Sequence, residues 1–165
     1  MVGIVVMSHG DLANGLVSAS EVIMGPAAQV RTLSLRREGN VDELTQEFDE
    51  ALGEVDTGDG VLVLCDLFGG SPCNVASMGL RTARNYHLVS GASLPMLIEA
   101  INSRDEGLGP RALAERCTRE FAISMIFSPR ARPGGRQANH GQSKKERKWQ
   151  RYRGHAWTTD SSTAR

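Results

Sequence analysis

The sequence predicts an α/β domain built on a doubly wound, mostly parallel sheet, and three observations carry that prediction. Through residue 127, short apolar runs alternate with segments whose apolar residues recur at helical spacing. Turn residues punctuate the changes of period, as at Gly25-Pro26 and Gly69-Gly70-Ser71-Pro72. Two of the apolar runs end on chemistry-bearing residues, His9 and Asp66, and a helical pattern begins soon after each. Repeated β-α units of this kind form a parallel sheet with helices on both faces, because their crossovers are right-handed.

The elements follow in order. Val2 to Met7 reads as a buried strand, and Asp11 to Met24 as a helix with Leu12, Leu16, Ala19 and Ile23 as its apolar stripe. Gly25-Pro26 stops that helix, and Val30 to Leu35 alternates as a short second strand. Val41, Leu44, Phe48, Leu52 and Val55 mark a second amphipathic helix whose acids, Asp42, Glu43, Glu47, Asp49 and Glu50, face solvent. A turn at 56–60 leads into a third strand at 61–66, which finishes on Asp66. Gly69 and Gly70 let the chain turn sharply there. Ser71 is expected as the N-cap of the next helix, with Pro72 at its first helical position. Tyr86 to Val89 is a fourth strand. Leu94 to Ile101 is a fourth helix, with Ser93 as its cap and Pro95 in its first turn, and Pro110 to Cys117 is a fifth. Phe121 to Phe127 reads as one more strand, with no helix to follow it.

The domain is thus expected over 1–127, with 128–165 as a basic, disordered tail rich in Pro, Gly, Arg, Lys, Ser and Gln. The formal net charge of zero hides a split. From Ser128 onward lie ten of the 19 basic residues and two of the 19 acidic ones, so the domain carries −8 and the tail +8. The domain contains no lysine. In the tail, "KKERKWQRYR" interleaves cations with Trp149 and Tyr152, yet basic runs of this length are commonly just solvated, and nucleic acid is not expected as a partner. Cys65, Cys73 and Cys117 form no CxxC pair and are read as small core residues of a reduced, cytoplasmic protein. No signal peptide, membrane span, metal-ligand spacing or cofactor motif is read.

The chemistry concentrates at two strand ends. If strands one and three are neighbours, their helices leave on opposite faces, which is the topological switch point where doubly wound sheets bind ligands. His9 and Asp66 would then lie side by side, with Ser71 and two helix N-termini close by. An imidazole attacking phosphorus uses one neutral ring nitrogen, so the other must carry the proton. A carboxylate accepting that N–H fixes the tautomer and stabilises the charge that develops. Helix-start amides and the Ser71 hydroxyl suit the phosphoryl oxygens. So placed, these residues would make a phosphohistidine site. His87, at the start of the fourth strand, reads as structural, and His140 and His155 lie in the tail without partners.

Three motifs in order, "GIVVMSHG", "DTGDGVLVLCDLFGGSPCNVA" and "LVSGASLPMLIEAI", make residues 1–127 resemble the enzyme IIA component of the mannose-type, phosphoenolpyruvate-dependent sugar phosphotransferase system (PTS). The resemblance implies that His9 carries the phosphoryl group and that Asp66 and Ser71 match the acid and hydroxyl of the family's "D-x-[FW]-GG-[ST]-P" motif. It implies a sheet order of 2-1-3-4 and an antiparallel fifth strand exchanged within a homodimer, a role for "FAISMIF". It also implies phosphate accepted from the carrier protein HPr and passed to a IIB component, with the membrane met only through IIC and IID. Some family members fuse a IIB domain to IIA; here a short basic tail follows instead, a natural appendage or a reading-frame artefact. Two other roles stay open: a regulatory sensor of phosphorylation state without transport, and a phosphoryl donor subunit of a dihydroxyacetone kinase, though "FGGSP" fits the sugar-transport branch better. The sugar is not readable from these residues.

Overall fold

The computed structural model describes residues 1–80 and 85–124. The elements run β1 (Gly3–His9), α1 (Leu12–Met24), β2 (Val30–Leu35), α2 (Val41–Val55), β3 (Val61–Cys65), α3 (Ser71–Gly79), β4 (Tyr86–Ser90), α4 (Leu94–Ser103) and α5 (Pro110–Ser124). The four strands form one parallel sheet in the order β2-β1-β3-β4. β1 is therefore central, with Val5 facing Arg31 on one side and Val63 on the other.

Both faces of this sheet are buried, which is why its inner strands read as continuous apolar runs rather than alternating ones. β1 sends Val5 and Met7 to one face, where Leu44, Phe48, Leu52 and Val55 of α2 and Cys73, Val75 and Ala76 of α3 cover them. Ile4 and Val6 point to the other, against Ala13 of α1, Met96, Leu97 and Ala100 of α4, and Leu113, Ala114 and Cys117 of α5. Close packing fixes the start of β1. A Cβ on Gly3 would lie 2.4 Å from the Val55 carbonyl oxygen, so only glycine lets the end of α2 settle onto the strand.

An aromatic pair secures α3 from behind. The Phe48 ring of α2 meets the Tyr86 ring of β4 edge-on, with centroids 5.6 Å apart and planes at 87°. The buried Tyr86 hydroxyl donates to the Ala76 carbonyl, tying the last turn of α3 to β4. On the opposite face, Arg116 of α5 donates to Glu99 of α4 at 3.0 Å and also to Glu106. All three cysteines are buried and free; burial pushes the Cys65 thiol up strongly and that of Cys117 up to about 12, as suits core residues.

Three sequence expectations need correction. The inner stripe of α1 is Ala13, Leu16, Val17 and Ser20, whereas Leu12 and Ile23 are exposed. Small residues at 13 and 20 let the helix lie close to the sheet, and apolar spacing alone chose the wrong neighbouring register. Ser71 is the first residue of α3 rather than its cap; Gly70 takes the cap position with extended backbone, and Pro72 follows in the first turn. The fifth helix continues to Ser124, so Phe121–Ser124 are helical where a strand was expected. The remainder of that strand, Met125 to Phe127, and the 128–165 tail lie outside the described residues.

Replacing Phe48 by Ala should cost about 3–5 kcal/mol, the range for truncating a fully buried aromatic. Urea unfolding followed by circular dichroism would measure it, with a lowered midpoint at unchanged slope.

Candidate active site

The site is built where β1 and β3 end together. The β1–β3 ladder continues one residue past β3, with the Asp66 amide donating to the Met7 carbonyl at 3.1 Å. That bond sets the Asp66 backbone beside His9, the last residue of β1. Behind His9, buried Ser8 accepts the Ala13 amide at 2.8 Å, satisfying one of the orphan donors at the start of α1.

One carboxylate oxygen serves His9 twice. Asp66 Oδ2 accepts the His9 backbone amide at 2.8 Å and His9 Nδ1 at 3.0 Å, while Oδ1 accepts the Leu67 amide at 2.7 Å. Partial burial raises the Asp66 pKa, but hydrogen bonds from the His9 amide, the His9 ring and the Leu67 amide outweigh it. Its net value is lowered below the ordinary carboxylate range. An ionised carboxylate has no proton to give, so Nδ1 carries the hydrogen of this bond. In the neutral ring the lone pair therefore sits on Nε2. The His9 side chain is 44% exposed and that of Asp66 12%, so the ring faces solvent while the carboxylate that orients it is sheltered.

The Nε2 edge of the ring meets the start of α3. A Cβ on Gly70 would lie 2.6 Å from His9 Cε1 and 3.3 Å from Nε2, so the ring rests directly against the Gly70 backbone. Ser71, half-buried, comes next. The first-turn amides of Ser71 and Cys73 are those that helix geometry leaves without an intrahelical carbonyl, Pro72 having no N–H. The Gly70 amide donates to the Leu67 carbonyl at 3.2 Å and the Asn74 side chain to the Gly69 carbonyl at 3.0 Å, which holds the loop in shape. Leu67 and Phe68 stand exposed at its crest.

The structure thus brings His9 and Asp66 into direct contact and sets Ser71 one residue beyond the glycine that touches the ring. His87 is elsewhere: it pairs with Leu62, which pairs with Ile4, five residues back along β1 from His9. Sequence reasoning missed Ser8 as the anchor of α1 and Gly70 as the wall of the histidine pocket. A serine just ahead of a helix start signalled the first. The Gly-Gly pair signalled the second without saying which glycine touches what. Among the described residues no group of three His, Cys, Asp or Glu side chains is placed to hold a metal ion, and no helix is long and apolar enough to cross a membrane.

Comparison with known proteins agrees with this architecture. Residues 3–116 match the family model EIIA-man, described as PTS system fructose IIA component. The chain is 32% identical over 105 residues to the PTS system mannose-specific EIIAB component of Escherichia coli (strain K12), covering 64% of this chain and 32% of that protein. It therefore spans about a third of the length of that relative. It is 26% identical over 105 residues to the PTS system fructose-specific EIIA component of Bacillus subtilis (strain 168), covering 64% of this chain and 72% of that one. Among solved structures, the mannose/sorbose-specific IIA subunit of the phosphotransferase system from Enterococcus faecalis superposes with a TM-score of 0.69 at 29% identity, over 79% of this chain and 97% of that one. With the family model matched along most of the chain and the sheet order shared, this chain belongs to the EIIA-man family of PTS IIA components.

Proposed function

We propose that His9 is a phosphoryl carrier, accepting phosphate from HPr and passing it to a IIB component for sugar uptake. The observation that carries this reading is the bond from His9 Nδ1 to the ionised Asp66 carboxylate, which leaves Nε2 as the attacking nitrogen. In the forward step the Nε2 lone pair forms a bond to phosphorus as the bond from phosphorus to the donor's histidine nitrogen breaks. Positive charge spreads over the His9 ring, and Asp66 stabilises it without taking the proton. The Ser71 hydroxyl and the first-turn amides of α3 accommodate the phosphoryl oxygens, as helix N-termini do for anions. Transfer onward is the same step with His9 as the leaving group, so neither metal nor cofactor takes part. This reading carries with it a cytoplasmic homodimer that meets the membrane through IIC and IID.

Incubation with phosphoenolpyruvate, enzyme I and HPr tests it. Wild type should take up an acid-labile label that His9→Ala loses and His87→Ala keeps; label surviving in His9→Ala would remove the assignment. Asp66→Asn should still fold and transfer roughly 10²–10⁴-fold more slowly, the usual loss for a positioned acid-base partner. Ser71→Ala should lose far less, about the worth of one neutral hydrogen bond, 0.5–1.5 kcal/mol.

Gly70→Ala should act on the same step sterically. The added methyl would crowd the ring and the Leu67 carbonyl and strain the His9–Asp66 bond, so transfer should slow strongly while the urea midpoint falls only modestly. The lowered Asp66 pKa also sets a pH dependence. Its stabilising bonds are fully present above the ordinary Asp value near 4 and are lost as pH falls through the lower folded value. Wild type should therefore exceed Asp66→Asn in stability by a constant margin above about pH 5, and the margin should shrink on acidification below about pH 4.

A further inference from the structure

β2 ends where β1 ends. Leu35 lies opposite His9 in the register, and its carbonyl accepts the Gly10 amide at 2.9 Å. The next two residues, Arg36 and Arg37, therefore overhang the sheet edge that carries His9. A tight turn keeps them there, closed by the Gly39 amide donating to the Arg36 carbonyl at 2.9 Å. Both are exposed.

The Arg36 guanidinium reaches toward Asp11 Oδ1, at the start of α1, at 3.8 Å, with each side chain 75% exposed. That separation is beyond hydrogen-bond length, and so exposed a pair contributes little, so Arg36 leaves it at little cost. Asp11 Oδ1 is already engaged by the Asn14 side-chain amide at 3.0 Å. Meanwhile Asp66 is ionised beside His9, Asp11 and Glu38 lie within three residues of these strand ends in the chain, and the domain has no lysine. A phosphoryl group arriving at His9 adds about −1.5 to −2 charges. The ring that receives it is already bound to the ionised Asp66 carboxylate through Nδ1.

We propose that Arg36 and Arg37 form a cationic rim that takes the non-bridging phosphoryl oxygens as the group arrives at His9 Nε2 and while it stays there. Arg36 exchanges Asp11 for the phosphoryl group, and its planar fork matches two of those oxygens at once. The proposal rests on the carrier reading of His9. One phosphorus–nitrogen bond breaks as the other forms, and no proton crosses.

The test compares wild type, Arg36→Ala, Arg37→Ala and the double variant in transfer from phosphorylated HPr, reading initial rate and final occupancy of His9. Arg31→Ala is the control, because it removes the same charge from the same strand at the other end of the sheet, where Arg31 pairs with Glu54 at 2.9 Å. The double variant should lose roughly three- to tenfold in both readouts while Arg31→Ala stays near wild type. Arg36→Lys in an otherwise intact chain should fall between Arg36→Ala and wild type, keeping the charge and losing the fork. At about 1 M salt the gap between wild type and double variant should close. A double variant that matches Arg31→Ala overturns the rim and leaves His9 untouched. A wild type that takes no label overturns the carrier reading itself.

Discussion

A single oxygen atom, Oδ2 of Asp66, organises the site. By accepting both the backbone amide and the ring N–H of His9, it fixes where the residue is and which way its imidazole faces. Separate acceptors would let ring and backbone move independently. Sharing one acceptor couples them, so strand β1 itself becomes the mount of the imidazole. The coupling requires Asp66 to be ionised, and the same two bonds, with the Leu67 amide, outweigh burial to keep it so.

That arrangement exists only because β1 and β3 are adjacent and in register, and the register is in turn imposed by the two-sided core. Slipping β1 by one residue would exchange Val5 and Met7 with Ile4 and Val6 and turn His9 to the wrong face. With both faces buried, the sheet loses less by such a slip than a one-sided sheet would, since apolar residues occupy both sets of positions. Shape then supplies what polarity does not. Gly3 fits under Val55, where an added Cβ would meet the Val55 carbonyl, and fully buried Ala13 lets α1 lie close to the sheet. The packing that looks remote from the chemistry is what holds the histidine and carboxylate opposite each other.

Much of this was legible in the sequence. Strands, helices and their boundaries could be read within a few residues, because Gly-Pro and Gly-rich turns mark most changes of period. The meeting of His9 and Asp66 was legible too, from their strand-end positions, once strands one and three were taken as neighbours, as the family resemblance implied. What escaped detection was set by packing or by polar contacts distant in sequence. The α1 stripe was misplaced because Leu12 and Ile23 outscore Ala13 and Ser20 in hydrophobicity, while close helix–sheet approach rewards small size. The end of α5 was misplaced because "FAISMIF" is β-prone and nothing in it interrupts a helix before Ser124. The end of β2 gave no signal as part of the site's surroundings, since only the pairing of Leu35 with His9 brings it there.

The tie between the Tyr86 hydroxyl and the Ala76 carbonyl lies at the far end of α3 from His9, and its position gives it leverage. α3 has nine residues, so its axis is about 13 Å long. The arm from the tie at Ala76 to Ser71 is five residues, about 7.5 Å. A tilt of roughly 8° therefore moves the Ser71 end by about 1 Å, comparable to the displacement that costs a reaction about a hundredfold. Angular error at the back of the domain is thus amplified into positional error at the front. The aromatic pair and its hydroxyl act as a bearing, and the accuracy of the site is limited by how little play that bearing has.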